Sequence, residues 1–226
     1  MTTPAIEAAL ALLHEPGAVF EVRIPKAGKA GTVSGYFDDP AAAAREIERY
    51  DGKVPGVYVT LNPVNPALMA RAANRLRERA TDTTADKDVL RRRWLLIDVD
   101  YTRPTGISAT DEELKAAGVV ARKIKTYLED ELGWPLGILV HSGNGGHILY
   151  RIDLPNDDAS RDLLKNVLLA LAGRFDMKDA DGNPTVHVDT GVFNSARIAK
   201  VPGTMACKGD NLRERPHRRS RILVQP

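Results

Sequence analysis

Two aspartates end an apolar stretch of the chain, in the segment RRWLLIDVD (92–100). Side chains alternate along a strand, so Asp98 and Asp100 are expected on one face, about 7 Å apart, with Ile97 and Val99 on the other. Two ionised carboxylates this close repel each other unless a cation lies between them. Mg²⁺ is a hard cation that prefers such oxygen ligands. The pair therefore predicts a metal site, with two exposed surface aspartates as the alternative interpretation.

A turn poor in side chains follows in HSGNGGHILY (141–150). Its backbone N–H groups can approach a ligand closely, which suits phosphate oxygens. The histidine that begins the next strand can donate a hydrogen bond to a phosphate. The predicted nucleotide-binding residues of this segment are Ser142, Gly143, Asn144, Gly145 and His147. A plain hairpin loop that needs positive φ angles is the alternative interpretation.

A third carboxylate and several cations lie in and just after VHVDTGVFNSARIAKVPGT (186–204). Asp189 ends a short strand predicted in the same sheet, where it could complete the metal site of the two earlier aspartates. Arg197 and Lys200 lie on the next predicted strand, and Lys208 follows it. These cations could neutralise a triphosphate. Exposed basic residues of a hairpin are the alternative.

Taken together, these residue types specify phosphoryl transfer. Two Mg²⁺ or Mn²⁺ ions held by aspartates can activate an attacking 3′-hydroxyl and stabilise departing pyrophosphate. Electrostatics and positioning supply most of the catalysis in such reactions. The predicted catalytic and metal-ligating residues are Asp98, Asp100 and Asp189.

The elements that must position these residues follow a β-α-β-β-α-β order between residues 92 and 190. A capping box at Thr110 and Glu113 predicts the start of the first helix, which should run to about Leu132. The second helix is expected over 158–175. This order predicts a ferredoxin-like or RRM-like module over 91–226, with helices on one sheet face and the other face free for chemistry.

Residues 1–90 are predicted to form a mixed α/β module, so that the whole chain has an α/β (α+β) fold. Three helices should begin where a capping residue precedes proline, at Thr3-Pro4, Asp39-Pro40 and Asn65-Pro66. The third should bury Leu68, Ala72 and Leu76. The polar segment TDTTADKD (81–88) is the expected link to the second module.

Composition excludes several classes of protein. The 226 residues are 43% hydrophobic and 27% charged, as in ordinary globular proteins. No apolar run approaches the ~18 residues of a membrane span, and the start lacks the basic region of a signal peptide. A single cysteine, Cys207, excludes a disulfide framework and a four-cysteine zinc site. We therefore expect a cytoplasmic protein with no membrane partner and no zinc.

Charge gives less information about partners. The net charge of +2 does not by itself argue for nucleic acid. Three arginine clusters stand out, over residues 71–79, 91–93 and 213–221. Solvated helix faces and an exposed tail would also explain them. The sequence does not distinguish which cluster would bind DNA.

At this point the residues resemble a known family, the archaeo-eukaryotic primase superfamily, and within it the primase-polymerase group of phages, plasmids and mobile elements. Its acidic pair on a strand is matched by Asp98-Val99-Asp100. Its small-residue turn ending in histidine is matched by residues 142–147, and its hydrophobic residue before aspartate by Val188-Asp189. The R-x-x-K-x-P-G-T over 197–204 also resembles this group.

The resemblance implies a primase-polymerase core that starts and extends primers on single-stranded DNA. It implies Asp98, Asp100 and Asp189 as ligands of Mg²⁺ or Mn²⁺, and His147 with the 142–146 turn as contacts to the triphosphate of a dNTP or NTP. The partners would be template and primer DNA, with a helicase domain or protein as a further partner. One departure is Gly145, where many relatives have serine two residues before the histidine.

Two other functions stay open on the sequence alone. A metal-dependent glycosyltransferase also uses a D-x-D pair to hold a diphosphate, but it needs neither the histidine turn nor the basic segment after Asp189. A non-catalytic module that binds single-stranded nucleic acid would use exposed aromatic side chains on its sheet. Aromatic residues make up only 5% of the chain, which weakens that reading.

Overall fold

The computed structural model describes residues 3–226, and Met1 and Thr2 lie outside the described residues. The fold is mixed α/β, with two larger antiparallel sheets, a small two-stranded sheet and helices packed against the larger ones. The first sheet has the strand order β2-β1-β3-β8. Its strands are β1 (Phe20–Ile24), β2 (Val33–Phe37), β3 (Tyr58–Thr60) and β8 (Ile198–Lys200).

Two helices belong to this first sheet, α1 (Thr3–Leu13) and α2 (Pro40–Glu48). Asp39 caps α2 as predicted, because its side chain accepts a hydrogen bond from the backbone N–H of Ala41 at 2.8 Å. Ile6 and Ile47, one on each helix, are fully buried in the core. The first two predicted helices are therefore confirmed, although Thr3 lies within α1 and donates to Glu48 instead of capping the helix.

The third predicted helix is wrong beyond its first turns. Asn65 caps the segment as expected, but only a 3₁₀ helix over Pro66–Arg71 forms. The chain then runs along the open edge of β2, where Ser34 and Arg77 exchange two backbone hydrogen bonds of 3.0 and 2.9 Å. Gly35 permits this close approach, since a Cβ there would lie 2.0 Å from the Arg75 carbonyl oxygen. The residues predicted to be buried, Leu68, Ala72 and Leu76, are buried nonetheless.

The second sheet has the strand order β11-β5-β6-β4-β7. Its strands are β4 (Arg91–Tyr101), β5 (Ile138–His141), β6 (Gly146–Pro155), β7 (Val186–Val188) and β11 (Arg221–Val224). Short strands β9 (Met205–Ala206) and β10 (Arg218–Arg219) pair with each other. The predicted βαββαβ arrangement is thus confirmed, with β11 added at the edge beside β5.

Both predicted helices of this module are present, α3 (Asp111–Thr126) and α4 (Asp158–Phe175). The capping box is formed, because Thr110 Oγ1 accepts from the N–H of Glu113 while Glu113 Oε2 accepts from the N–H of Thr110. A single π-helical turn, Tyr127–Glu131, extends α3 toward its predicted end. No helix among the described residues has both the length and the apolar character needed to cross a bilayer.

Strand β4 is buried on both faces, which explains its apolar run. Ile97 and Val99 are fully buried in the core that α3 completes. On the opposite face, the Trp94 indole donates to the Leu13 carbonyl of α1 at 2.8 Å. The face that carries Asp98 therefore looks toward the first sheet and not toward open solvent.

The segment expected to link the modules is fixed to both. On the first module, the N–H of Thr84 donates to Glu21 Oε2 of β1 at 3.0 Å, and on the second, Asp86 Oδ1 accepts from the N–H of Ala196 at 2.7 Å. Strand β8 belongs to the 91–226 part of the chain but pairs in the first sheet. The division at residue 90 stays a prediction, and the two sheets share one continuous hydrophobic core.

Candidate active site

A cavity of about 220 Å³ lies between the two sheets. Strands β4 and β6 form one wall, while β3, β8 and the segment after β8 form the other. The polar residues on its surface are Tyr58, Asp98, Asp100, Ser142, Asn144, His147, Asp189, Arg197, Lys200 and Lys208. All the predicted site residues lie on this cavity except Gly143 and Gly145.

Strand register explains why three of these residues meet. On β4, Asp98 pairs directly with His147 of β6, and the Asp98 carbonyl accepts from the N–H of Asp189 at 2.8 Å just after β7. Residues directly opposite each other in a sheet project from the same face. The Asp98 carboxylate is therefore flanked by a histidine, 3.4 Å from Nε2 to Oδ1, and by a second carboxylate.

Asp98 carries the strongest electrostatic perturbation of the group. Its side chain keeps 26% exposure toward the cavity, while protein surrounds it on the other sides. Burial raises its pKa, His147 opposes this rise, and the charges of Asp100 and Asp189 add to it. Burial and the two neighbouring carboxylates therefore disfavour the ionised form of Asp98.

Asp100 is held by a guanidinium. Arg103 donates from Nη1 to Oδ1 at 3.0 Å and from Nη2 to Oδ2 at 3.1 Å, in a bidentate pair with little exposure of the arginine. Arg103 is fixed in turn by the carbonyls of Tyr101 and Ile107. Arg103 was not among the predicted site residues.

Asp189 is oriented by its own turn. Its Oδ1 accepts from the N–H of Gly191 at 2.8 Å, and a Cβ at Gly191 would lie 3.1 Å from that oxygen. Its other carboxylate oxygen has no hydrogen-bond donor among the described residues. Within residues 3–226, no three His, Cys, Asp or Glu side chains are already arranged as a cage for a metal ion.

The turn before β6 differs from its predicted use. Its amides are satisfied inside the turn, because the N–H of Gly143 donates to His141 Nδ1 and those of Asn144 and Gly145 donate to Ser142 Oγ. They are therefore not free to bind phosphate through the backbone. What the turn offers the cavity is the Ser142 hydroxyl hydrogen and the Asn144 side-chain amide, whose Oδ1 is fixed by the N–H of Ala109.

The two glycines of the turn permit close packing. A Cβ at Gly143 would lie 2.5 Å from the Ala206 Cβ, and Gly143 has a φ of 101°. A Cβ at Gly145 would lie 2.4 Å from the Val99 carbonyl oxygen and 2.6 Å from Asp100 Oδ1. This contact explains the departure noted at position 145, since a serine there would collide with the carboxylate.

The opposite wall supplies the cations. Lys200 is only 5% exposed, its Nζ donates to the Met205 carbonyl at 2.5 Å, and burial lowers its pKa to about 7. Arg197 donates from Nε to Asn194 and from Nη2 to the Gly191 carbonyl, which leaves Nη1 without a partner among the described residues.

Tyr58 is a cavity residue that sequence reasoning missed. It pairs with Lys200 across the β3–β8 ladder, and the Lys200 Nζ lies 5.7 Å from its ring centroid. Burial raises the pKa of its hydroxyl, and the charges of Asp98 and Asp100 raise it further. Its strand, β3, lies about 40 residues before the aspartates in sequence, and strand propensity does not indicate that the two strands face each other.

No protein-family model matches the chain, and no curated protein matches it. Among solved structures, the polymerase domain from Mycobacterium tuberculosis Ligase D in complex with DNA is similar over 96% of this chain and 78% of that chain. The TM-score is 0.49 and the sequence identity is 16%.

Proposed function

We propose that this chain is a template-directed nucleotidyltransferase that starts and extends DNA chains on single-stranded DNA, as a primase-polymerase does. The observation that carries the proposal is one cavity bearing three carboxylates on one wall and cations on the other. The order of motifs along the chain, an acidic pair, a turn with histidine and a later aspartate, supports the same reading.

The carboxylates fit a hard divalent cation. They offer oxygen donors on one surface, and the raised pKa of Asp98 reflects a charge that its surroundings do not fully compensate. Asp98 and Asp189 would hold Mg²⁺ or Mn²⁺, with Asp100 sharing its oxygens between Arg103 and the ions. Two such ions, when bound, activate an attacking 3′-hydroxyl and stabilise charge on the phosphates.

The remaining residues would bind and orient the incoming dNTP or NTP. The Ser142 hydroxyl and the Asn144 amide can donate to phosphate oxygens, and His147 can donate from its ring. On the facing wall, the Arg197 Nη1 and the Lys208 ammonium can pair with negative oxygens. Donors on both walls would fix the triphosphate across the cavity.

Lys200 would hold a proton at its Nζ. With its pKa lowered to about 7 by burial, much of it is neutral at physiological pH. A triphosphate beside it favours the charged form, so binding would draw a proton onto Nζ. The resulting ammonium would stabilise the pyrophosphate that leaves.

The test is synthesis on unprimed single-stranded DNA with all nucleotides and Mg²⁺ or Mn²⁺, resolved on a denaturing gel. The wild type should give products of several nucleotides or longer, and Asp98→Asn should give none. Asp181→Asn, which neutralises an exposed carboxylate in a turn, is the matched control and should keep full synthesis.

The possible outcomes distinguish the candidate functions. Extension of an annealed primer without unprimed product would limit the proposal to a polymerase. Full activity of Asp98→Asn would refute the assignment of the site. Hydrolysis of nucleotide sugars without DNA dependence would favour a glycosyltransferase, while DNA binding without metal and without product would favour a binding module.

A further inference from the structure

The three arginine clusters differ in how many of their side chains are paired within the protein. In the 91–93 cluster, Arg91 and Arg93 both pair with Asp153. Arg92 is 3% exposed and donates to the Phe193 carbonyl at 2.7 Å. The guanidinium groups of this cluster are thus committed to contacts within the protein.

The C-terminal cluster is largely committed as well. Its ion pairs are Arg215 with Glu113 at 2.8 Å, Arg218 with Asp111 at 2.6 Å, and Arg219 with Asp51 at 2.7 Å. Two arginines of the cluster, Arg213 and Arg221, stay outside such pairs among the described residues. The C-terminal segment therefore uses most of its positive charge to attach itself to α3 and to the loop after α2.

The 71–79 cluster is the exception. Arg75, Arg77 and Arg79 are exposed, and none of the three side chains has an acceptor within residues 3–226. The nearest acid in sequence, Glu78, accepts from the Tyr50 hydroxyl at 3.4 Å. Arg71 is bound to the Tyr36 hydroxyl at 3.0 Å and is not counted with them.

The backbone that carries these arginines is fixed in place. Arg77 exchanges backbone hydrogen bonds with Ser34 of β2, and the N–H of Arg79 donates to the Ala30 carbonyl at 2.9 Å. Leu76, between two of the arginines, is buried. The turn that holds Ala30 also carries exposed Lys26 and Lys29. We call Arg75, Arg77, Arg79, Lys26 and Lys29 the edge patch.

We propose that the edge patch binds the phosphodiester backbone of single-stranded nucleic acid, which is the template if the proposed function holds. Arginine forks suit phosphate oxygens. These guanidinium groups can bind a phosphate without first breaking an ion pair, and the backbone that carries them is already fixed. The patch has no apolar or aromatic member, so it can contact phosphates without reading bases.

The position of the patch suits a strand that reaches the cavity. It borders β2, and the cavity wall includes β8 at the opposite edge of the same four-stranded sheet. Arg77 pairs along the outer side of β2, so four strand spacings, about 19 Å, separate the backbone of the patch from β8. A single strand lying on the patch therefore needs only a few nucleotides to reach the carboxylates.

The experiment measures binding of a fluorescein-labelled single-stranded DNA by fluorescence anisotropy over 50–300 mM salt, without metal or nucleotide. The variant is Arg75→Gln/Arg77→Gln/Arg79→Gln. The control is Arg45→Gln/Arg122→Gln/Arg213→Gln, which removes the same charge from exposed positions elsewhere. Thermal unfolding checks that both variants keep the fold.

Loss of three phosphate contacts should reduce the slope of log Kd against log salt by about 2, with binding more than about tenfold weaker at 50 mM salt. The control should keep nearly the wild-type slope. Equal slopes for the two variants would overturn the edge patch while leaving the proposed function untouched, because wild-type binding would persist. Absence of binding by the wild type would overturn the patch and count against the proposed function. Normal binding by wild type and Asp98→Asn, with no synthesis by the wild type, would retain the patch and refute the function.

Discussion

Proton uptake by Lys200 is the sharpest consequence of the cavity's electrostatics. Burial lowers the pKa of this lysine from 10.5 to about 7, and within residues 3–226 its Nζ has the Met205 carbonyl as its one hydrogen-bond partner. A bound triphosphate would restore much of the lost stabilisation of the ammonium. Nucleotide binding above neutral pH should therefore take up a proton.

The size of this uptake follows from the pKa. At pH 8 a group with a pKa near 7 is about 90% neutral, so each bound nucleotide should take up about 0.9 proton if the pKa returns toward its ordinary value. The nucleotide affinity should fall about tenfold per pH unit above pH 7, because the proton must then be supplied from solution. Below pH 7 this dependence should disappear.

Isothermal titration calorimetry with a non-hydrolysable nucleotide measures the uptake directly. At pH 8 the observed heat should differ between phosphate and Tris buffers by the difference in their ionisation enthalpies times the protons taken up. Lys200→Met should abolish this difference. Lys208→Met removes another cavity cation and should weaken binding while keeping the uptake. Equal heats for the wild type in both buffers would refute the reasoning.

The same burial affects stability, with a definite sign. Between pH 7 and 10.5 the unfolded chain binds the Lys200 proton and the folded chain does not, so wild-type stability rises with pH across this window. The depression to about 7 corresponds to about 5 kcal/mol. Lys200→Met also leaves the Met205 carbonyl unpaired, which costs about 1–3 kcal/mol. In urea unfolding at pH 6, the free energy of unfolding of Lys200→Met should exceed that of the wild type by about 2–4 kcal/mol. This difference should shrink as the pH rises.

Three further predictions concern other residues. Burial lowers the pKa of His14 to about 3. Below pH 6.5 the unfolded chain is protonated and the folded chain is not, so the free energy of unfolding should fall by about 2 kcal/mol at pH 5. In urea titrations His14→Phe should flatten this loss. Gly145→Ala should cost about 1–3 kcal/mol and displace Asp100, seen as a lower urea midpoint and weaker Mn²⁺ binding. Asp98→Asn should keep or raise the Tm, because it removes a disfavoured charge, while electron paramagnetic resonance shows Mn²⁺ binding lost.

Local chemistry made much of the second module predictable. The capping box at Thr110 predicted the start of α3, and the apolar periodicity over 158–175 predicted α4; the structure adds an N-cap at Asp157 that was not predicted. The alternation along β4 placed Asp98 and Asp100 on one face, and both lie on the cavity. These inferences needed only contacts between neighbours in sequence.

The features that could not be predicted depend on pairing between strands far apart in the sequence. The opposite wall of the cavity exists because Tyr58 of β3 pairs with Lys200 of β8, far along the chain, and strand propensity does not specify which edges meet. The failure over 72–77 has the same origin. The Asn65 cap favoured a helix, but the unpaired edge of β2 offered hydrogen bonds to that backbone, and the tertiary contact prevailed over local preference.

The pKa values of Asp98 and Lys200, on opposite walls of the cavity, are shifted in opposite directions. Burial raises the pKa of Asp98 and lowers that of Lys200, so it moves each group toward its neutral form. A metal ion would favour the carboxylate, and a triphosphate would favour the ammonium. Each ligand also brings charge of the sign that the other needs, so the two should bind cooperatively at this site. A metal affinity that is the same with and without nucleotide would show that the two walls act independently.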